Sequence, residues 1–426
     1  MKSLEADVII IGAGMSGLAC GITLKNAGIS PLVIEASPRT GGRVATDTVY
    51  GFRIDRGFQI LLTAYPEVQR FVDMEALELG KFQKGAHIWD GDDWQKFYDP
   101  RACPFSALPA FLKQNVFTPK DCFLLMRLWK SFWGKNSLEA LMGSGNRRTH
   151  VALEEMGFSQ RAREVFFEPF LGGVFLDWKL LTSEKMFRFV MNMFIQGQAT
   201  LPSGGMKHIP EQLTVKLGIE NIRCESQVVR CDPTKGEVET ADGLIYKGRT
   251  IIIATDGHAA HLLLPDHIPS IPFNHTRSFA FGIRKSYTEG YFDRTLRLVA
   301  DPESPVQVIA AVSNVAAGYA PPEHDQVVVT LKDGIDADIT ADETLEALEP
   351  LYGKSVGHWH LLADYAIPHA LPRQLPADLR DFPKYQKIGD KAWICGDYLE
   401  TRSLNGALAS GRLVAEQIIA ERLKED

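Results

Sequence analysis

Ala6-Asp7-Val8-Ile9-Ile10-Ile11-Gly12-Ala13-Gly14-Met15-Ser16-Gly17 decides the fold of this 426-residue chain. Val8 to Ile11 are consecutive β-branched apolar residues stopped by glycine, so Ala6 to Ile11 reads as a fully buried parallel strand. Gly12, Gly14 and Gly17 then form G-x-G-x-x-G, Leu18 to Asn26 reads as a helix, and Ser30 to Ile34 as a second strand. In such a βαβ unit the first glycine permits the tight turn, the second lets a pyrophosphate approach the backbone, and the third lets helix and strand pack closely. Met15 and Ser16 stand where the helix N-terminus faces the phosphates. Glu35 follows Gly12 by 23 residues, where its carboxylate can accept both ribose hydroxyls of an adenosine and would repel a 2′-phosphate. A merely structural glycine turn would not need the flanking strands, helix and acid.

Working outward, the length suggests two or three domains, and 45% hydrophobic with 23% charged residues describes a folded chain with a sizeable core. A formal charge of −7 argues against nucleic acid as a partner. The six cysteines, Cys20, Cys103, Cys122, Cys224, Cys231 and Cys395, show no C-x-x-C pair and no zinc-type spacing, so no metal site is expected. Reduced thiols fit a cytoplasmic location. Glycines at 12, 14, 17 and 21 interrupt the first apolar run, and no stretch of about 20 apolar residues reads as a transmembrane helix.

The chain continues Glu35-Ala36-Ser37-Pro38-Arg39-Thr40-Gly41-Gly42-Arg43 and later Ile54-Asp55-Arg56-Gly57-Phe58-Gln59. E-A-x-x-R-x-G-G-R followed by a D-x-G segment resembles the flavoprotein superfamily of amine oxidases, protoporphyrinogen oxidases and phytoene-type desaturases. The resemblance implies FAD, with Arg43 on its pyrophosphate and Gly41 and Gly42 letting the loop pass beside it. A guanidinium fork suits phosphate oxygens. Arg39 reads either as a second cofactor contact or as an exposed salt bridge. Lys391 to Cys395 reads as a short buried strand ended by Gly396-Asp397, and Ser403-Leu404-Asn405-Gly406-Ala407 opens a small-residue helix. These residues resemble the superfamily's carboxyl-terminal flavin motif. The resemblance implies that Asp397 bonds the ribityl chain, while amides near Ser403, Asn405, Gly406 and Ala407 meet the flavin pyrimidine edge. An Ala/Gly helix packed on the sheet is the compatible structural reading.

Gln198 to Met206 is similar to the superfamily's P-x-G-G-M turn. Asn221 to Val229 reads as a strand, and by resemblance Val228 offers its backbone to adenine; Arg249 to Thr255 returns as a strand carrying Ala254 near the cofactor. The expected fold is α/β: a discontinuous Rossmann-like FAD-binding domain of residues 1–75, 200–268 and 386–426, with an inserted α+β substrate domain of residues 76–199 and 269–385. No cysteine stands where a thioether to flavin would form, since Cys395 lies in the buried strand, so non-covalent FAD is expected.

In the substrate half, Thr118-Pro119-Lys120-Asp121 is a helix start, with Thr as N-cap and Pro at the first position. The residues after it, to Trp133, are apolar on nearly every side. Residues 101–150 hold eight Lys/Arg and two acids in a chain that is net acidic. Residues 101–135 therefore read either as a core helix with solvated flanks or as a peripheral membrane contact. Ser183 to Gln196 reads as a helix whose Met186, Phe187, Val190, Met191, Phe194 and Ile195 form one apolar face, for the core or as the wall of a tunnel. Phe166 to Phe175 resembles the F-x-x-P-F-x-x-G-V-F stretch of the desaturase and porphyrinogen-oxidase branch, within a helical apolar block at 101–199.

Hydride transfer to a flavin N5 needs a presented C–H bond and exclusion of water rather than an obligatory acid or base. Tyr365, His369 and Asp364 are the candidate substrate contacts, with His369 read either as a proton-transfer group or as a structural or exposed histidine, and Arg56 and Gln59 are the candidates to face the flavin ring. No G-x-S-x-G, H-E-x-x-H or P-loop lysine occurs, which leaves hydrolase, zinc-protease and NTPase chemistry unsupported. With one dinucleotide fingerprint, electrons are expected to leave to dioxygen, a quinone or another carrier. Ser403 stands where amine-oxidase relatives commonly carry Tyr or Trp, and no lysine lies mid-strand in Ser278 to Ile283. The expectation is an FAD-dependent oxidoreductase of the desaturase or dehydrogenase type acting on a sizeable apolar, isoprenoid-like substrate. The alternatives are an amine or porphyrinogen oxidase, a redox-neutral polyisoprenoid isomerase or dehydroxylase, and a flavin-free lipid escort of the GDP-dissociation-inhibitor type. The intact Gly41-Gly42-Arg43 and Gly396-Asp397 speak against the escort.

Overall fold

Val8, Ile9 and Ile10 are fully buried because their strand lies between parallel neighbours with apolar clusters packed on both faces of the sheet. The computed structural model describes residues 3–98, 116–132, 145–288, 290–332, 334, 339–379 and 386–425. Strand β1, Ser3–Ile11, is followed by helix α1, Met15–Asn26, and strand β2, Pro31–Ile34. β1 pairs with β2 from Val8↔Pro31 to Ile11↔Ile34, and with Ile245–Ile253 from Ser3↔Ile245 to Ile11↔Ile253. Ile251–Ile253 pairs in turn with Ala392–Ile394. Four strands thus end at one edge, where an open α/β sheet presents its crevice.

Several boundaries differ from the sequence reading. β1 begins at Ser3 because its partner strand extends to Ile245. α1 begins at Met15, since the Leu18 amide already donates to the Gly14 carbonyl. The expected strand Asn221 to Val229 is broken into Ile222–Arg223 and Val228–Asp232. Between them Glu225 takes a φ of +54°, and the amides of Glu225 and Ser226 donate to the carbonyls of Ser37 and Glu35. That stretch wraps the end of β2 instead of extending a sheet. Cys395 lies just beyond its strand, fully buried.

The small-residue helix, Leu404–Glu425, packs on α1 rather than directly on the sheet. A Cβ at Gly411 would land on the Ser16 carbonyl oxygen, so only glycine permits this approach. The approach carries the start of both helices to the same sheet edge.

A second, seven-stranded sheet runs in the order His360–Pro372, Phe273–Arg284, His324–Leu331, Val306–Ala311, Leu296–Val299, Gly85–Trp89, Trp94–Tyr98. One face buries Phe279, Phe281, Val327 and Val329 against Leu348 and Tyr352 of the helix Ala341–Tyr352. That helix is started by a reciprocal cap between Thr340 and Glu343. The other face looks toward the helices Pro119–Phe132 and Glu184–Gln196.

Pro119–Phe132 begins as expected: the Thr118 hydroxyl accepts from the Asp121 amide at 3.1 Å, and Asp121 accepts from the Thr118 amide at 2.8 Å. It is not apolar all round and fully packed, however. Leu128 and Phe132 are buried, whereas Phe123 and Met126 are 59% and 60% exposed. Residues 101–115 and 133–135, including Trp133, lie outside the described residues, so the expected membrane contact falls partly there. Among the described residues no helix is long and apolar enough to cross a membrane.

Candidate active site

The crevice at the strand ends opens into one continuous cavity of about 1520 Å³, which runs from Glu35 to the helix Pro119–Phe132. Its volume exceeds the roughly 300–1,000 Å³ of ordinary small-molecule sites, leaving room for more than one ligand.

At the first end the wall is Gly12, Gly14, Met15, Ser16, Glu35, Ala36, Arg39, Val228 and Ala254. Glu35 is held in place by the glycine turn and by its own loop: Ala13 N–H donates to Oε2 at 2.7 Å, and the Ser37 amide and hydroxyl donate to Oε1 at 2.8 and 2.7 Å. These contacts orient the carboxylate while leaving further lone pairs for hydroxyl donors. Gly12 has φ +102°, and a Cβ there would press on the Ala254 carbonyl at 3.0 Å. Gly17 is not on the wall; it allows α1 to sit directly on the Gly12 carbonyl. Gly14 is the informative one, because a Cβ added to it meets nothing within 4 Å. Its lack of a side chain is required by no protein neighbour, so it keeps open a cradle in front of a helix N-terminus, which suits a pyrophosphate. Beside it the Gly41 amide donates to the Ala13 carbonyl at 2.8 Å, and Gly42 and Arg43 continue the wall. Among the described residues Arg39 has no carboxylate in ion-pair contact, and it does not project freely. Its guanidinium donates to the carbonyls of Thr40 and Gly42 at 3.2 and 3.0 Å and so rigidifies this loop.

In the middle, Arg43 bridges distant parts of the chain, donating to Asp397 Oδ1 at 2.7 Å and to the Ala370 carbonyl at 3.0 Å. Gln59 donates to the carbonyls of Arg43 and Arg56 at 3.1 and 3.0 Å. Arg56 forms a two-pronged ion pair with Asp47 at 2.9 and 3.0 Å, which holds the Asp47 carboxyl below the usual carboxylate range. Tyr365 also donates to Asp47, at 2.6 Å. Burial first, and then that hydrogen bond, raise the Tyr365 phenol far above its ordinary value, so it stays protonated at neutral pH. Gly396, Asp397, Ser403 and Ala407 complete this part of the wall.

Asn405 and Gly406 are set back from the cavity. The Asn405 carboxamide oxygen accepts from the Glu67 amide at 3.0 Å, and Gly406 lies against the Thr401 carbonyl. His369 is likewise off the wall, its ring tilted 32° against that of His258 with centroids 4.3 Å apart. The reason is a register shift: Thr276 pairs with Ile367 but Asn274 with Leu371, so residues 368–370 bulge and the imidazole turns away. Asp364 points to the other face, where it pairs with Arg277 at 2.8 Å.

Asp55 anchors this region, a role the D-x-G pattern alone did not reveal. It is 7% exposed and accepts from Thr46 at 2.5 Å, from the Tyr319 hydroxyl at 2.5 Å and from the Met206 amide at 3.0 Å. The 203–206 turn is thereby pinned beside the cavity. Burial pushes the Asp55 carboxyl up to about 6 against the opposing hydrogen bonds. Arg402, 6% exposed, and Lys84 also line the cavity, and no motif pointed to either.

The far end is apolar. Phe166 meets Phe97 and Phe170 at centroid distances of 5.1 and 5.6 Å, and Phe170 meets Phe194 at 5.1 Å. Both readings of the helix Glu184–Gln196 hold together: Phe187, Phe189 and Met193 enter the core, while Met191, Phe194 and Ile195 face the cavity. Leu125 and Trp129 close the end opposite the nucleotide cradle.

This arrangement matches known proteins. Over 97% of this chain and 80% of the relative, it is 22% identical to 15-cis-phytoene desaturase of Arabidopsis thaliana. Among solved structures, an oxidoreductase from Methanosarcina mazei superposes with a TM-score of 0.73 at 15% identity, covering 96% of this chain and 100% of that one. Putrescine oxidase bound to putrescine superposes with a TM-score of 0.69 at 17% identity, covering 98% and 100%. The family profile described as flavin-containing amine oxidoreductase matches residues 15–419, which takes in the helix at the cradle and the carboxyl-terminal helix alike. A crevice walled by residues from both ends of one chain therefore has its explanation: the chain belongs to the flavin-containing amine oxidoreductase family.

Proposed function

We propose that this oxidoreductase holds FAD non-covalently and dehydrogenates a sizeable apolar, isoprenoid-like substrate. The observation that carries the reading is the unbroken run of the cavity from the Gly14 cradle, past Asp397, to the apolar end at Trp129. Bound there, FAD would supply hydride acceptance at N5. Glu35 would take the ribose hydroxyls, Gly14 and the α1 N-terminus the pyrophosphate, Val228 the adenine side, and Asp397 the ribityl chain. Arg43 orients Asp397 and adds positive charge beside the phosphates. Phe166, Phe170 and Phe194 exclude water from the substrate, which keeps a transferred hydride from being lost. Cys395 is fully buried next to Cys20, which supports the absence of a thioether link.

Amine oxidation finds less support. Ser403 stands on the wall where an aromatic cage would need a ring, and Tyr365 is tied to Asp47. Among the described residues, the carboxylates on the wall are Glu35, Asp256 and Asp397, so the apolar end offers none to a cationic substrate. The purified protein is expected to show bands at about 375 and about 450 nm that bleach on anaerobic photoreduction. Rapid return in air would identify dioxygen as acceptor, and slow return with rapid reoxidation by a quinone would identify a dehydrogenase. A colourless protein that refuses added FAD would overturn the reading in favour of a lipid escort.

The exposed Phe123 and Met126 sit beside Lys120, Arg127 and Lys130, on the helix whose Leu125 and Trp129 line the cavity. This supports substrate entry from an anionic bilayer surface, with the helix as peripheral contact. Phe123→Glu is expected to reduce flotation with anionic vesicles without altering the flavin spectrum; equal flotation of variant and parent would count against membrane contact.

A further inference from the structure

Among the described residues two tyrosines line the cavity, Tyr65 and Tyr365. The Tyr365 hydroxyl is engaged by Asp47, whereas the Tyr65 hydroxyl forms no hydrogen bond among the described residues. Nor is it one of the sealed polar atoms of the core. The small exposed part of Tyr65, 8%, therefore includes the hydroxyl and opens into the cavity that the residue lines. Burial alone pushes this phenol above its ordinary value, so it stays protonated and is a donor throughout the neutral range. A buried tyrosine hydroxyl normally finds a partner, and here the partner has to come from the cavity.

The chain fixes where this donor stands. Tyr65 lies between the strand Leu61–Leu62 and the short helix Pro66–Phe71. Its ring stacks on Phe189 of Glu184–Gln196, with planes 7° apart and centroids at 6.1 Å. Two residues on, the buried Glu67 ties this turn to the carboxyl-terminal helix: its amide donates to Asn405 Oδ1 at 3.0 Å, and its carboxylate accepts from Arg412 at 2.9 and 2.8 Å. Tyr65 is thus held beside the start of Leu404–Glu425, where Ser403, Leu404 and Ala407 line the same cavity. The other wall residues around it, Leu62 and the Met186 and Val190 neighbours of Phe189, are apolar, and the Glu67 carboxylate is taken by Arg412. With the ribityl chain at Asp397, the flavin ring lies beyond it, toward Ser403 and Leu404. There the positive end of a long helix favours the negative charge that reduction places on the pyrimidine edge.

We propose that the Tyr65 hydroxyl donates to the pyrimidine edge of the bound flavin and thereby raises the reduction potential of the cofactor. The proposal rests on the FAD reading above and adds a side-chain donor to the helix terminus. It divides the two wall phenols by role: Tyr365 braces Asp47 and Arg56, and Tyr65 meets the cofactor.

The test compares the yellow parent with Tyr65→Phe, which keeps the ring on Phe189 and removes only an oxygen that no described protein group uses. Both proteins, with FAD in excess, are titrated anaerobically against indicator dyes to give the two-electron potential. Hydrogen bonds to a charged acceptor are about twice as strong as neutral ones, so the donor favours the reduced, anionic ring over the oxidised one by about tenfold. Tyr65→Phe is therefore expected to lower the potential by about 30 mV, the equivalent of tenfold for a two-electron couple. Its affinity for oxidised FAD should fall only a few-fold. Tyr65→Met, which fills the space with neither ring nor donor, is expected to show the same drop in potential. A drop in Tyr65→Met with none in Tyr65→Phe would assign the effect to the ring and overturn the proposal. An unchanged potential in both variants would overturn it too, whether water or substrate takes the hydroxyl, and would leave the FAD reading intact. A colourless parent that refuses added FAD would overturn that reading and the proposal together.

Discussion

Gly14→Val is expected to abolish flavin binding while leaving the chain folded. Gly14 adopts φ −69° and ψ −179°, an extended conformation open to any residue, and an added Cβ meets no protein atom within 4 Å. The branched side chain would stand in the cradle before the α1 N-terminus, where a pyrophosphate must come close to the backbone. Crowding of this kind costs on the order of 3 kcal/mol, hence a loss of affinity of about a hundredfold or more. Compared as apoproteins, parent and variant should differ in stability by no more than about 1 kcal/mol. The loaded parent should melt higher than either, because ligand binding stabilises the native state alone. The measurement is flavin content after purification, with circular dichroism as the control for folding. A yellow Gly14→Val protein would show that the cradle is not where the dinucleotide lies. Gly17→Val would be a poor substitute, since its side chain collides with the Gly12 carbonyl and threatens the fold itself.

Asp55 should produce the other large effect, on stability and its pH dependence. Asp55→Leu strands the Thr46 and Tyr319 hydroxyls and the Met206 amide, all held against this carboxylate, and is expected to cost about 3–5 kcal/mol. The carboxyl is raised from 3.8 to about 6 by burial. Folding therefore favours its protonated form: the contribution is complete below about pH 4 and is lost as pH rises through about 6. A shift of that size corresponds to roughly 3 kcal/mol between the two limits. Denaturation of the parent at pH 4.5 and 7.5 should show this loss, and Asp55→Asn should flatten it. An unchanged slope in Asp55→Asn would assign the pH dependence to another group.

The part of this molecule visible in the linear chain rests on short-range rules. A β-branched run stopped by glycine, a G-x-G-x-x-G turn and an acid at the end of the next strand involve residues close in sequence, governed by backbone sterics and helix-terminus electrostatics. Glu35 and Gly14 could be read that way, and so could the Gly396-Asp397 break and the apolar face of Glu184–Gln196, while Arg43 was implied by the resemblance of its G-G-R motif. The linear chain is silent where a distant residue or a change of register decides. His369 belongs to the right strand but a bulge against Asn274 and Thr276 turns it onto His258. The Asn405 carboxamide, inside a flavin-like motif, also accepts from the Glu67 amide, 338 residues away. Asp55 meets Tyr319 across 264 residues. Strand side chains alternate faces, so a register shift redirects a residue without changing any local pattern. The glycine turn, the helix starts and the order of strands thus follow from neighbours along the chain. Which polar atoms face the cavity depends on which strands are brought side by side.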